Sequence, residues 1–290
     1  MSASDPIETV TIIVPTLDEE RNLPGCLETV CGYFRHVMVV DSLSTDATVA
    51  LARARGCTVR EHRFEGYSAQ YNWALAHLPL ETDWVFFLCA DERMTPSLRG
   101  EIAAVTRDGA TPHVGFQVPQ RYVFMGRMLE HGGWAPSYQL RLFRRSAGRF
   151  EDRAVHEHPV LRGSVGFLTS HYVHHDLRDL THFVAKHNRY SSLEAEEIVR
   201  ALRGDGEGRL LDRGRLFGNH LERRRWIKLH VWPRLPGRAL IRFVYQYLVR
   251  GGFRDGRAGL RFALLHAFFE VLASAKVAER LERPDDGAEP

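Results

Sequence analysis

The chain is poor in cysteine and shows no spacing of it that would hold a metal or a disulfide framework. Cys26, Cys31, Cys57 and Cys89 are its four cysteines, scattered without any paired ligand spacing. A zinc ribbon or a stapled secreted domain is thereby excluded, and reduced thiols in a reducing compartment are expected. The opening "MSASDPIETV" has neither a basic end nor an apolar stretch, so no secretory leader is expected. Long apolar runs are also missing. The best candidate, Leu260 to Ala275, is 16 residues and carries Arg261, His266 and Glu270, whereas a bilayer span needs about 20 mainly apolar residues. There is no internal repeat, no recognised pattern for binding DNA or RNA, and no Gly-rich basic loop after the first strand. "PTLDEE" stands there instead, which argues against a nucleotidyltransferase.

What is present is ordinary in bulk and uneven in distribution. The 290 residues are 44% hydrophobic and 26% charged, enough for one large core or one core with a smaller appendage. The net charge of +3 conceals an asymmetry: residues 203–261 hold 15 Arg or Lys against 5 Asp or Glu, and the remainder is therefore acidic. That segment is suited to an anionic partner.

The first hundred residues alternate in type. "TVTIIVPT" (9–16), "HVMVVDS" (36–42), "CTVREHRF" (57–64) and the run Trp84 to Leu88 read as strands. Residues 21–34, 44–56 and 67–78 read as helices, and Thr95-Pro96 supplies a cap and a first-turn proline for another. This alternation predicts βαβ units and a mostly parallel sheet, and the unbroken apolar runs predict strands covered on both faces. From residue 113, "HVGFQVPQRYVFMG", "QLRLFRRS" and "SVGFLTSHYVHH" read as further strands. Residues 177–202 return to helix, 203–215 form a polar Gly-rich hinge, and two apolar helical segments follow before a disordered tail at 283–290.

This reading places the acids. In open α/β sheets ligands bind beyond the carboxyl ends of the strands, and Asp18-Glu19, Asp41-Ser42 and Asp91-Glu92 each follow a predicted strand. The alternative is that some of them, Asp18 and Asp46 especially, cap the helices that follow.

"IIVPTLDEERNLPGCL", "VVDSLSTDAT", "YSAQYNWAL", "LCADE" and "HGGWAPSYQLRLFRR…VHE", in this order, resemble bacterial family 2 glycosyltransferases. The likeness is nearest to the branch with lipopolysaccharide-core glucosyltransferases and polysaccharide-assembly enzymes. It covers residues 9 to about 170 and runs more loosely through "GFRDG" (252–256). The resemblance implies a Rossmann-like GT-A fold, an α/β class with a mostly parallel central sheet. It also implies an inverting transfer from a nucleotide-diphosphate sugar, with a UDP-sugar as the first choice, and a divalent cation, Mg²⁺ or Mn²⁺. The expected organisation is a catalytic domain over 1–176, with its nucleotide-sugar half at 9–110 and its acceptor half at 111–176, followed by a basic helical region over 177–282.

Carried over residue by residue, Pro15, Thr16, Asp18, Glu19, Asp41, Ser42, Gln70, Asn72, Ala90, Asp91 and Arg141 would line the nucleotide and donor, with Asp41 on the base and Arg141 at the diphosphate. Asp91 would hold the metal, because hard oxygen ligands suit such ions. Trp134 and Glu92 would face the acceptor, although Trp134 could equally be a packed structural residue. The family pattern after the fourth strand is Asp-x-Asp, and here Cys89 replaces the first aspartate. A neutral thiol is a poor ligand for a hard cation. Asp91 with phosphate oxygens and waters could suffice, alone or helped by Glu92; arginines could replace part of the metal's charge; or the site could be degenerate and serve binding alone.

An inverting transfer needs a carboxylate to take the acceptor proton. "GRFEDRAVHEHPV" (148–160) offers Glu157 first, in the family's Val-His-Glu, and Asp152 second. A zinc site from "HEH" and "HYVHHD" lacks helical i, i+4 histidines. In the basic region, Trp226, Trp232, Phe243, Tyr245 and Tyr247 alternate with Arg223, Arg224, Arg225, Lys228, Arg234, Arg238 and Arg242. This pattern suits an anionic membrane surface or a helical bundle on the core or in a homo-oligomer. The combined expectation is a cytoplasmic enzyme, peripheral on the inner face of the plasma membrane. It would glycosylate a glycan or lipid-linked acceptor of the cell envelope or an exopolysaccharide, with no nucleic-acid partner.

Overall fold

A computed structural model describes residues 6–78, 82–107, 111–150, 159–203, 226, 231–232, 235 and 237–282. The chain forms two units: Met1–Glu130 with Trp134–Arg178, and His131–Gly133 with Asp179–Pro290.

The first unit opens with β1 (Ile7–Thr16), α1 (Leu23–Glu28), β2 (Phe34–Asp41), α2 (Thr48–Ala54), β3 (Thr58–Glu61), α3 (Tyr67–Ala76) and β4 (Trp84–Phe87). The strands β3-β2-β1-β4 lie side by side in parallel, with Ile13 opposite Phe87 and Thr16 opposite Asp41. Their apolar runs divide by pleat. Val10, Ile12, Val14, Val39, Trp84 and Phe86 pack on one face; Ile13, Met38, Val40, Val85 and Phe87 pack on the other. Both faces are covered, which is why the runs are continuous rather than alternating. Each such side chain contributes about 1.5–3 kcal/mol on burial.

The unit continues through β5 (Glu92–Met94), α4 (Pro96–Val105), β6 (Gly115–Phe124), β7 (Arg127–Leu129), β8 (Ser137–Arg144), β9 (Gly148–Phe150), β10 (Pro159–Leu161), β11 (Val165–Phe167) and β12 (Tyr172–His174). β8 joins β4 antiparallel, β6 joins β8, and β12 lies between β6 and β5. Thr95 caps α4 by accepting from the Leu98 amide, with Pro96 in the first turn, as the sequence indicates.

Some elements differ from expectation. The helix expected over 21–34 stops at Glu28, where the Thr29 hydroxyl bonds back to the Cys26 carbonyl and Gly32, at φ +82°, turns the chain into β2. The three-residue β5 had no sequence signal; it exists because β12 pairs with it.

Cys31 and Cys57, unremarkable in sequence, meet at the amino ends of β2 and β3 with Sγ atoms 3.7 Å apart, both half-buried. The hydrogen bond from Cys57, helped by Arg55 and opposed by burial, lowers the Cys31 pKa. Treatment with diamide is expected to close a disulfide between them. Thiol titration would show two thiols lost, and unfolding in denaturant would show a stabilisation of about 3 kcal/mol from the closed loop. Cys31→Ser should abolish both effects, and unchanged thiol counts in the wild type would refute the pairing.

The second unit holds α5 (Leu180–Arg203), α6 (Arg238–Val244), a π-helical turn (Tyr245–Val249), a 3-10 turn (Gly252–Asp255) and α7 (Gly256–Glu282). α7 packs against α5 through Val277 with Ala195, Ile198 and Val199. Lys276 Nζ also reaches the Asn188 carbonyl at 2.8 Å and Ser191 Oγ at 2.8 Å. A Cβ on Gly259 would lie 2.1 Å from the Gly252 carbonyl oxygen, so this close approach requires glycine. The Asp255 carboxylate accepts from both the amide and Nδ1 of His131 at 2.9 Å.

Two expectations about this region change. α7, of 27 residues, extends beyond the 16-residue apolar stretch Leu260–Ala275 at both ends; with the 3-10 turn before it, Gly252–Glu282 is 31 residues and apolar enough to cross a membrane by length and composition, with 44% of its most apolar window buried within the protein. Arg238, Arg242 and Trp232, expected at a surface, instead converge on Glu270. The Trp232 Nε1–Glu270 distance is 3.1 Å and the Arg238 Nε–Glu270 distance 3.4 Å, with Arg242 on the other carboxylate oxygen. The hinge, the tail and the basic run at 223–225 lie outside the described residues.

Candidate active site

The carboxyl edge of the parallel strands is built from interlocked loops. Asp41, at the end of β2, is wholly buried. Its Oδ1 accepts from Thr16 Oγ1 at 2.8 Å and Ser44 Oγ at 2.6 Å, and its Oδ2 accepts from the Ser44 amide at 2.7 Å. The Ser42 amide donates to the Thr16 carbonyl at 2.8 Å. Asp41 is thus a knot between β1 and β2, with each carboxylate oxygen accepting from within the protein.

Gln70 and Asn72 are likewise engaged within the protein. Gln70, 1% exposed, spans His62 Nδ1 at 2.7 Å and Ser42 Oγ at 3.1 Å. Asn72 clamps β9, with Nδ2 donating to the Phe150 carbonyl and Oδ1 accepting from the Phe150 amide, both at 2.9 Å. Asp18, exposed with φ +51°, accepts from the Thr45 amide at 2.8 Å and so latches the loop after Pro15 and Thr16 onto the start of α2. Asp46 accepts from the Thr48 amide at 2.9 Å, which is the capping role weighed for it.

Glu19 turns the other way, into a charged cluster. Asn22 Nδ2 donates to it at 2.9 Å and Arg178 Nη1 lies 3.2 Å away. Asn22 also donates to Asp176 at 3.0 Å and accepts from the Leu177 amide at 2.8 Å, while Arg178 Nε holds Asp176 at 2.9 Å. Burial raises the Glu19 pKa against the Asn22 hydrogen bond and the Arg178 charge. Burial would raise that of Asp176 too, but hydrogen bonds from Arg178 and Asn22 outweigh it and hold the carboxyl well below the usual range.

After β4 the chain makes a tight turn through Cys89, Ala90, Asp91 and Glu92, closed by the Glu92 amide on the Cys89 carbonyl at 2.9 Å. The Glu92 carboxylate is buried and fully engaged: Oε2 accepts from the Cys89 amide at 2.7 Å and Oε1 from Arg141 Nη2 at 2.6 Å. Arg141 further donates to Tyr172 OH at 3.2 Å and lies 3.7 Å from Cys89 Sγ. Arg141 and Glu92 therefore partner each other beneath the turn. Burial, reinforced by Glu92 and opposed by Arg141, pushes the Cys89 thiol up to about 12, so it is neutral.

Asp91 stands above this layer. Its Oδ1 is 3.6 Å from His174 Nδ1, and its carbonyl accepts from the His175 amide at 2.7 Å. Strand register sets His174 opposite Glu92 of β5 and Tyr122 of β6, and the imidazole stacks on Tyr122 at 4.6 Å. Trp134, half-buried, is 6.4 Å from Tyr122 between ring centroids. Sequence reasoning missed His174, Arg178, Asp176 and Asn22. For His174 and Asp176 the available signal is the run "HYVHHD" (171–176), which the sequence offers as a zinc motif.

Cys89, Asp91 and Glu92 bring three ligand-type atoms within 4.8 Å of one another. Chemistry narrows that set, because Glu92 is held by Arg141 and the Cys89 amide while Cys89 is a neutral thiol. What remains is the Asp91 carboxylate with the His174 imidazole beside it. This pair fits a Mg²⁺- or Mn²⁺-type ion that takes its other ligands from phosphate and water. Glu157 and Asp152 lie outside the described residues.

The family model described as glycosyl transferase family 2 matches residues 11–158, just over half of the chain. The chain belongs to glycosyltransferase family 2. The family makes it a transferase, and the acidic strand edge lies within the matched span. A relative, an uncharacterized glycosyltransferase of Rickettsia typhi, is 23% identical over 283 residues, covering 94% of this glycosyltransferase and 88% of the relative. The glycosyltransferase SunS of Bacillus subtilis is 28% identical over 101 residues, covering 34% of this chain and 24% of SunS. Among solved structures, a mannosyltransferase of Pyrobaculum calidifontis, in complex with GDP-Man and Mn²⁺, superposes with a TM-score of 0.54. It has 17% identity and covers 94% of this chain and 88% of that one. The shared fold is that of GT-A glycosyltransferases, as the sequence resemblance implies.

Proposed function

We propose that this family 2 glycosyltransferase performs an inverting transfer from a nucleotide-diphosphate sugar, a UDP-sugar first, to a glycan or lipid-linked acceptor at the inner face of the plasma membrane. The reaction would serve cell-envelope or exopolysaccharide assembly. The observation that carries the reading is the Asp91–His174 pair at the carboxyl end of β4, flanked by Glu19 and Arg178.

In this reading Asp91 and His174 hold a divalent cation, which supplies Lewis-acid charge at the diphosphate when bound. The chain's own residues do the rest. Arg141 and Glu92 fix the turn that aims Asp91. The loops carrying Pro15, Thr16, Asp18, Glu19 and Ser42, with Ala90 on the far side, form the edge where the nucleotide lies. Arg178 is drawn by Glu19 and Asp176 to the same edge, as a fixed positive charge beside the phosphates. Trp134 and Tyr122 offer aromatic faces for the sugar's C–H groups. Glu157, or Asp152 behind it, takes the acceptor proton. The neutral Cys89 thiol leaves Glu92 as the charged partner of Arg141, so an aspartate at position 89 would compete for that guanidinium.

The test is calorimetric titration of UDP, UDP-glucose and GDP-mannose, the last because the Pyrobaculum protein was solved with GDP-Man. Each titration is run with and without Mn²⁺. Binding of a uridine nucleotide that requires Mn²⁺ is expected. GDP-mannose binding alone would overturn the UDP choice, and no binding of any of the three would overturn the reading.

A further inference from the structure

The second unit exposes apolar side chains in a helical stripe. Along α6 and the π turn, Leu240, Ile241, Val244, Tyr245, Leu248 and Val249 are all exposed, from 38% to 67%. Pairs of neighbours recurring every four residues lie on one side of a helix. Phe253, in the turn that follows, is 50% exposed, and on α7 Leu264, Phe268 and Val271 repeat the pattern at 50% to 54%. Single exposed hydrophobics need no explanation, but a contiguous stripe marks an interaction surface.

The charge beside the stripe has one sign. Over Gly237–Ala278, among the described residues, the acids are Asp255 and Glu270, 3% and 6% exposed. Both are used inside the unit, Asp255 on His131 and Glu270 on Trp232, Arg238 and Arg242. The exposed charges in this span are Arg250, Arg254, Arg257 and Arg261. Over this span, short of the exposed Glu279 and Glu282 at the end of α7, an apolar helical face edged by arginine matches the interface of an anionic bilayer, where the side chains enter the acyl boundary and the guanidinium groups meet phosphates. A second copy docked about a two-fold axis would set this positive surface against itself.

We propose that α6, the π turn and the exposed side of α7 form a docking face for an anionic lipid surface. This goes beyond the transfer reading and would hold for a protein that only binds nucleotide. It also moves the membrane contact away from Trp232, Arg238 and Arg242, which Glu270 engages within the unit.

The experiment is flotation of the full-length protein with vesicles of phosphatidylcholine alone and with vesicles enriched in phosphatidylglycerol. The wild type is expected to float with the anionic vesicles and not with the neutral ones. Two exposed-site variants separate the contributions. Arg250→Gln/Arg257→Gln should lower partitioning about 25-fold, at roughly fivefold per arginine. Leu248→Gln/Val249→Gln should abolish flotation while leaving the circular dichroism spectrum unchanged. Nucleotide titration is run in parallel on each variant and is expected to match the wild type, so the docking face and the transfer reading fail separately. The proposal is overturned if the wild type stays unbound with both vesicle types, or if neither variant changes flotation. It is equally overturned if the stripe variant instead dissolves a dimer seen by light scattering without lipid.

Discussion

Asp91→Asn is expected to lower the transfer rate by about 10²- to 10³-fold, the scale seen when one preorganised electrostatic group is removed from an active site. The substitution keeps side-chain shape, and the Asp91 backbone contact to His175 is untouched, so the fold should persist. The neutral amide removes the anionic ligand beside His174. If Asp91 holds a cation, the variant should need far more Mn²⁺ to reach half-maximal activity, and chelation of the wild type with EDTA should reproduce the loss. Initial rates over a Mn²⁺ series check both points, and a variant with wild-type rate and wild-type cation dependence would show that Asp91 holds no metal.

The second large effect concerns stability. Glu92 and Arg141 have side chains 2% and 17% exposed and meet at 2.6 Å. Glu92→Gln leaves Arg141 charged and buried, and Arg141→Met leaves the Glu92 charge with only the Cys89 amide. Each should cost about 3–5 kcal/mol, because removing one partner strands the other in a poor solvent for ions. The double variant should recover part of this loss, since two neutral groups of similar volume strand no charge. Urea unfolding of all four proteins measures the coupling. Single variants within about 1 kcal/mol of wild type, the range of exposed pairs, would mean the pair is hydrated in solution.

The parallel half of the sheet was legible because its strands are apolar on both pleat faces, and Thr95-Pro96 announced α4 through capping chemistry alone. α1 was read too long because its helical periodicity runs past the point where Gly32 reverses the chain. The apolar stretch within α7 counts as too short for a bilayer span because Arg261, His266 and Glu270 interrupt it, though the last two are buried within the unit. At the site, the acidic edge followed from strand order. Partners did not: pleat alternation tells which edge a residue reaches, not what meets it there. Thus Glu92 and Arg141, 49 positions apart, were assigned different ligands although they bind each other. Asp41, Gln70 and Asn72 stood at the right edge and turned inward. His174 and Arg178 arrive from β12 and the chain just after it, whose place beside β5 no local pattern announces.

The Asn72 clamp acts on more than α3. Phe150, which it grips by both backbone groups, faces Pro159 across a single rung of the β9–β10 ladder. The chain bearing Asp152 and Glu157 therefore departs and returns at adjacent points that one asparagine holds in register. Bringing the ends of such a segment together carries an entropic penalty, and here folding meets it once for every turnover that follows. A helix packed beside the parallel strands in this way anchors the strand that leads into the segment carrying the proposed proton acceptor.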